Sequence, residues 1–262
     1  MKHKVVAGVR TKDEEWIIEK TLAALQNFCH KVVVYDDNSI DKTKEMCNSF
    51  DVVDWHEGPP RNPLIWKAGE QFSDLFKHVR SHEPEYILLL DADEIPTPNI
   101  VDFFEKIDEN INLWKVRMVN LWQSEEYYRA DSFFSKVVGG NIGGDPFGTS
   151  PWTKHLLMKN DPAIDYVYDL QKVGLGGVTP KHPAPLNVPG PHAMTNDFHI
   201  MHYGKISPAY LSGKKPNYYA QVDAVSGKGT YEQRLAHHFE ERRNETLVLK
   251  KCPSSWYWGK ND

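Results

Sequence analysis

Three carboxylates stand together in Asp91-Ala92-Asp93-Glu94, directly after the apolar run Tyr86-Ile87-Leu88-Leu89-Leu90. Two aspartates one residue apart on an extended chain point to the same side, so both can reach a single ion. Oxygen ligands of this kind suit a hard divalent cation, Mg2+ or Mn2+, which keeps coordination positions open for substrate phosphates. The competing reading is a solvated acidic turn. The preceding run weighs against it, because apolar residues bounded by charge and then by Pro96 read as a short strand buried on both faces. In open parallel sheets, ligands bind at the carboxyl ends of such strands.

The elements that must position this group alternate along the chain. Residues 5–9 form a first apolar strand, ending in Arg10-Thr11-Lys12-Asp13-Glu14-Glu15. Ile18, Leu22, Leu25 and Cys29 then repeat at helical spacing, with an acidic first turn that suits the helix dipole. Residues 31–35 are a second strand running into Asp36-Asp37-Asn38-Ser39, where helix capping competes with ligand binding as the explanation. A short helix over 41–50, a brief strand at 52–53, the turn Gly58-Pro59-Pro60 and a helix carrying Leu64, Ala68, Phe72, Leu75 and Val79 complete the series. This alternation predicts an α/β fold with a mostly parallel central sheet flanked by helices. Right-handed crossovers would set the polar ends of the three longest of these strands, at Thr11 with Asp13 and Glu14, at Asp36 with Asp37 and at Asp91 with Asp93, along one edge. Neither the G-x-G-x-x-G dinucleotide fingerprint nor the P-loop is present.

Beyond Pro98 the pattern changes. A helix is expected over 100–111, a mixed strand over 113–121 and short strands at 155–158 and 166–168. The glycine loop 139–144 is not followed by Lys-Ser/Thr and so is no phosphate cradle. Glycine and proline make 174–191 irregular, as binding loops often are. A histidine-bearing strand over 198–204, an aromatic polar stretch after Pro208, a helix over 231–243 and the packing tail Trp256-Tyr257-Trp258 follow. The expected organisation is one domain over 1–207, with a nucleotide-binding half at 1–97 and an acceptor-side half at 98–207. A helical and aromatic extension over 208–262 should pack upon it.

Composition narrows the function classes. At 262 residues, with 40% hydrophobic and 26% charged, the chain can bury a full core. A net charge of -5 argues against a broad electrostatic grip on nucleic acid, which disfavours a nucleic acid acceptor. Cys29, Cys47 and Cys252 lack metal-site spacing and argue against a disulfide framework. No apolar run approaches the roughly 20 residues that cross a bilayer, and no signal peptide precedes Lys4. The expectation is a cytoplasmic protein, with room for peripheral attachment to a membrane.

Four stretches taken in order carry a family resemblance. Arg10-Thr11-Lys12-Asp13-Glu14, Val33-Val34-Tyr35-Asp36-Asp37-Asn38-Ser39, Arg61-Asn62 and Leu90-Asp91-Ala92-Asp93-Glu94 together resemble the motifs of inverting, GT-A-fold glycosyltransferases of family 2. Later stretches match more thinly: residues 154–160, Val167-Tyr168-Asp169, and His202-Tyr203-Gly204. The resemblance implies a GT-A-like nucleotide-sugar-binding fold. It also implies metal-dependent transfer of a sugar from a nucleoside-diphosphate sugar to an acceptor hydroxyl, with inversion. In that reading Asp93, together with Asp91 directly, through water or through the ribose, and His202 hold Mn2+ or Mg2+. Asp36 and Asp37 accept hydrogen bonds from base and ribose, Thr11 and Glu14 frame the same pocket, and Arg61 or Lys67 contacts phosphate. Asp169 is the candidate general base, with Asp165, Asp161 and Asp145 as alternatives. His182, His192, His199 and His202 are not spaced as a zinc site. Trp122, Trp152 and Tyr168 either stack on a sugar or pack in the core. A glycan, a lipid-linked glycan or another hydroxyl compound is the expected acceptor. Two other classes compete. A sugar-nucleotide nucleotidyltransferase should carry a glycine-rich basic loop where residues 10–15 are acidic, and a non-catalytic carbohydrate-binding protein would rest on the aromatic second half.

Overall fold

The computed structural model describes residues 2–60, 62, 64, 68–130, 153–167, 183–240 and 247–259. Its first half runs β1 (Val5–Thr11), α1 (Ile18–Leu25), β2 (Lys31–Asp36), α2 (Thr43–Cys47), β3 (Val53–Glu57), α3 (Ala68–Arg80) and β4 (Tyr86–Asp91). These strands lie in the order β3-β2-β1-β4, all parallel. The two-residue period of each strand divides its side chains between two layers. Val5, Ala7, Val9, Val32, Val34, Leu88 and Leu90 pack with Ile18, Leu22 and Leu25 of α1. Val6, Val33, Ile87 and Leu89 pack instead with Phe72, Leu75, Phe76 and Val79 of α3. Strands covered on both faces read as unbroken apolar runs, which is why these were visible in the sequence. Gly8 has a specific reason to be glycine. A Cβ there would lie 2.8 Å from Val79 Cγ2 and 3.0 Å from Leu75 Cγ, so α3 rests on bare backbone.

The second half contributes β5 (Glu94–Pro96), α4 (Ile100–Glu105), β6 (Leu113–Trp122), β7 (Ser124–Arg129), β8 (Thr153–Lys159) and β9 (His192–His202). Here the sheet becomes mixed. β8 is antiparallel to β4, β6 is antiparallel to β8, and β9 runs parallel to β6 while pairing antiparallel with β5. The result is a large mixed sheet flanked by helices, parallel from β3 to β4 and mixed beyond. After β9 come α5 (Pro208–Leu211), α6 (Lys214–Val225), α7 (Tyr231–Glu240) and β10 (Leu249–Lys251), which pairs with β7.

Several elements differ from expectation. Residues 164–167 form no strand, and β9 begins at His192, six residues before the strand expected over 198–204. The polar stretch after Pro208 is helical: α6 buries only Pro216, Ala220, Val222 and Asp223, too few apolar residues to mark a helical face. The tail lies against the body of the protein. Trp258 stacks on Phe28 at 6.1 Å between ring centres, and its Nε1–H donates to the Pro96 carbonyl at 2.7 Å. All three cysteines are free and buried. Among the described residues no helix is long and apolar enough to cross a membrane.

Candidate active site

Parallel pairing of β1 with β4 sets Arg10 beside Asp91. The guanidinium donates to Asp91 Oδ1 from Nη2 at 2.7 Å and from Nε at 3.0 Å. From β8, Lys154 donates to Asp91 Oδ2 at 3.2 Å and pairs with the buried Glu94. Burial alone would raise the Asp91 carboxyl, but Arg10 and then Lys154 outweigh it and hold it below the ordinary range. Both oxygens of Asp91 are thus engaged by protein cations.

Asp93 keeps different company. The register sets His202 of β9 opposite Glu94 on one side and Asn120 of β6 on the other. Asn120 Oδ1 lies 2.7 Å from His202 Nδ1. A carbonyl oxygen can only accept, so the imidazole carries its proton on Nδ1 and presents the Nε2 lone pair. That nitrogen lies 3.6 Å from Asp93 Oδ2. One ligand atom from each of Asp93, Glu94 and His202 falls within 4.8 Å of the others. The residues fit a divalent cation on two counts. A histidine oriented by an outer hydrogen bond is the usual arrangement for a ligand. Gly204 supplies the second count: a Cβ there would sit 2.6 Å from Asp93 Oδ2 and 2.7 Å from His202 Nε2, so a side chain would fill the cradle. Both Glu94 oxygens are already used, by Lys154 and by the Asp91 N–H at 3.1 Å, which leaves Asp93 and His202 as the principal ligands.

The loops after β1 and β2 are stitched together. Ser39 Oγ accepts from the Asp13 N–H at 2.8 Å, Asp13 Oδ1 accepts from the Ile40 N–H at 2.8 Å, and Thr43 Oγ1 accepts from the Glu14 N–H at 2.9 Å. Asp13 and Asn38 adopt left-handed backbone, with φ of 52° and 62°. Such conformations in non-glycine residues concentrate at functional sites. Asp36 is buried and accepts from the Ser39 N–H at 2.8 Å and from the Ser39 hydroxyl, so its carboxylate also braces the loop. Asp37 is half-buried and anchored by its N–H to the Thr11 carbonyl at 2.9 Å. The Thr11 hydroxyl is buried and finds no hydrogen-bond partner among the described residues. A buried polar group of that kind calls for an explanation, and a ligand provides one.

One side of this edge comes from the C-terminal helices. The Lys215 ammonium of α6 lies 3.4 Å from Asp93 Oδ2 and 3.5 Å from Glu14 Oε1. Glu14 also accepts from Trp16 Nε1 at 2.6 Å. Burial pushes the Glu14 carboxyl up to about 7 although Lys215 pulls it down. At Asp93 the balance reverses: burial would raise the carboxyl, but the Lys215 ammonium holds it well below the ordinary range.

Thr11, Glu14, Asp36, Asp37, Asp91, Asp93 and His202 therefore meet at one sheet edge. Arg61, Lys67 and Asp169 lie outside the described residues, as do Asp145, Trp152 and Tyr168. Asp161 and Asp165 are placed elsewhere. Antiparallel β8 ends beside the start of β4, with Lys159 opposite Tyr86, which carries the following residues to the far edge. His199 packs edge-on against Trp256, and Trp122 is buried beneath Arg129 and Tyr210. Sequence reasoning assigned no role to Arg10, Asn120, Lys154 or Lys215. Asn120 did leave a signal, a polar residue in a mainly apolar strand, whereas Lys154 lies among Thr153, His155 and Lys159 and left none.

A family profile described as Glycosyl transferase family 2 matches residues 8–162. A search of curated proteins found no match. Among solved structures, S. aureus TarS 1-349 superposes with a TM-score of 0.51 at 15% identity, covering 91% of this chain and 71% of that one. A second S. aureus TarS structure gives 0.39 at 20% identity over 47% of this chain, which spans 24% of that one. Glucosyl-3-phosphoglycerate synthase from Mycobacterium tuberculosis, in complex with Mn2+, UDP and phosphoglyceric acid, gives 0.45 at 13% identity over 86% of this chain and 79% of that one. The superposition on TarS 1-349 speaks for the fold, and the profile for the family. Because the matched residues extend from β1 through β8 and carry the acidic ends of β1, β2 and β4, the chain belongs to glycosyl transferase family 2 and is a glycosyltransferase.

Proposed function

We propose that the protein transfers a sugar from a nucleoside-diphosphate sugar to an acceptor hydroxyl, depends on a divalent cation, and inverts the anomeric centre. The observation that carries this reading is the Asp93–His202 pair, oriented by Asn120 and left room by Gly204, at the edge that also holds Thr11, Glu14 and Asp37. A bound Mn2+ or Mg2+ would supply Lewis-acid neutralisation of the departing diphosphate. Asp93 and His202 would hold that ion. Asp91, fixed by Arg10 and Lys154, orients the edge and faces the ribose. Thr11 and Asp37 receive the nucleoside. In the transfer, the acceptor oxygen forms a bond to the anomeric carbon as the bond from that carbon to the β-phosphate oxygen breaks. The electron pair leaves with the diphosphate, and the hydroxyl proton passes to a carboxylate base. Asp169 remains our candidate for that base, following residues 166–168 on the acceptor side. Glycans and lipid-linked glycans are the proposed acceptors. Three free cysteines suit a reducing compartment, so we assign the reaction to the cytoplasm.

Donor hydrolysis and transfer, measured with Mn2+ and after chelation, test this reading. Asp93→Ala is expected to abolish turnover while the protein stays folded. Activity of that variant in chelator-treated buffer would remove the metal assignment. Wild-type protein that neither turns over nor binds UDP, GDP, CDP or dTDP sugars would favour a carbohydrate-binding role instead.

A further inference from the structure

We propose that Lys215 is a donor-binding residue: its ammonium neutralises Asp93 and Glu14 and ion-pairs with the leaving diphosphate when donor is bound. The inference rests on the metal and nucleotide-sugar reading above. It concerns α6, which lies beyond the residues that match the family profile.

The geometry sets the argument. Lys215 lies 3.4 Å from Asp93 Oδ2, the oxygen nearest His202 Nε2. A divalent ion held by these two groups would stand within a few ångströms of the ammonium, and two cations so close repel strongly at low dielectric. Loading the site therefore requires Lys215 to leave Asp93 or to acquire an anion between itself and the metal. A diphosphate bridging to the ion meets that requirement. Lysine suits both states, because its flexible stem and three donors let one charge exchange partners over a short distance. Lys215 is also well placed to remain near. Its side chain is 20% exposed, and Glu14 also pairs with it at 3.5 Å.

The carrier of this residue is firm. Asp223 of α6 binds Lys228 at 2.8 Å, Arg234 at 2.8 Å and His238 at 3.0 Å, which ties α6 to α7. Gly213, with φ of 82°, starts α6, and a Cβ there would touch the Phe239 ring at 3.5 Å. The two helices thus present Lys215 as a unit, and a short side-chain movement suffices for the exchange.

The test measures binding without turnover. Free Mn2+ is followed by paramagnetic resonance. Nucleotide affinity is followed by calorimetry, using whichever of UDP, GDP, CDP and dTDP stabilises wild type most, with its monophosphate as control. For Lys215→Met, Mn2+ alone should bind more tightly than to wild type, because a competing cation is gone. Diphosphate affinity with Mn2+ should fall roughly tenfold or more, the scale of one charge-assisted contact, while monophosphate affinity stays unchanged. Lys215→Arg should retain diphosphate affinity. Unchanged diphosphate binding in Lys215→Met would overturn the proposal, as would equal losses for mono- and diphosphate. Should Lys215→Met fail to fold, chelated wild type decides: it must still prefer diphosphate over monophosphate, and equal affinities would overturn the proposal. Wild type that binds neither Mn2+ nor any of these diphosphates would overturn the reading of the site together with this role for Lys215.

Discussion

Lys154 carries a positive charge into the sheet between Asp91 and Glu94, with side-chain exposures of 6%, 27% and 1% for the three groups. Removing one partner of such a buried cluster leaves uncompensated charge behind. Lys154→Met is expected to cost about 3–5 kcal/mol, read as a lower urea midpoint. Lys44→Met, whose partner Glu57 is as exposed as the lysine, should cost less than about 1 kcal/mol. Glu14 gives a prediction of opposite sign. Its carboxyl is raised to about 7 in the folded protein from an ordinary 4.5. The folded state therefore binds the extra proton between those values, and the contribution of Glu14 to stability declines as pH rises through that window. The slope is at most about 1.4 kcal/mol per pH unit. Urea unfolding of wild type and Glu14→Gln across pH 4.5 to 7 should show the wild type losing ground with rising pH, and parallel curves would contradict the assignment. Asp91 and Asp93, held low, act the other way and lose their contribution only as pH falls below the ordinary carboxylate range.

Elements differ in how plainly they were written into the sequence. β1, β2 and β4 are apolar on both faces because α1 and α3 cover them, so composition alone exposes them, and with them the edge that carries Thr11, Asp37 and Asp93. β5 and β10 have three residues each, too few for any period to register, and β7 is mostly polar and exposed along its first half. The placing of Asp161 and Asp165 at the far edge follows from the antiparallel entry of β8, which is a matter of pairing and leaves no local mark. Two glycines test the element packing. Gly8→Ala should cost about 1–3 kcal/mol, since α3 must move off the sheet. Gly204→Ala should change stability little, by about 1 kcal/mol, yet weaken Mn2+ binding at least tenfold, roughly 1.4 kcal/mol, because the new methyl displaces Asp93 and His202. Mn2+ titration beside a thermal melt separates the two effects.

At the scale of the whole molecule, the C-terminal tail closes a third core cluster, in which Cys252 is buried with Ile95, Val119, Leu121 and Tyr203 while Trp256 and Trp258 pack against it. Ending the chain at residue 246 would strip that cover and β10. The midpoint of thermal unfolding should fall by about 10 °C, as expected for a loss of several kcal/mol in a chain of this size. The pairing of β9 with both β5 and β6 carries a further consequence, one that concerns time. Asp93 is made early, but His202 reaches it only after more than a hundred further residues have been laid down and threaded beside Asn120. Contacts that close so long a loop form late in folding. A nascent or refolding chain would hold its parallel ladder first and acquire its grip on the ion last. Mn2+ quenching of intrinsic fluorescence should therefore lag behind the burial of tryptophan during refolding, so that ion capture marks only finished molecules.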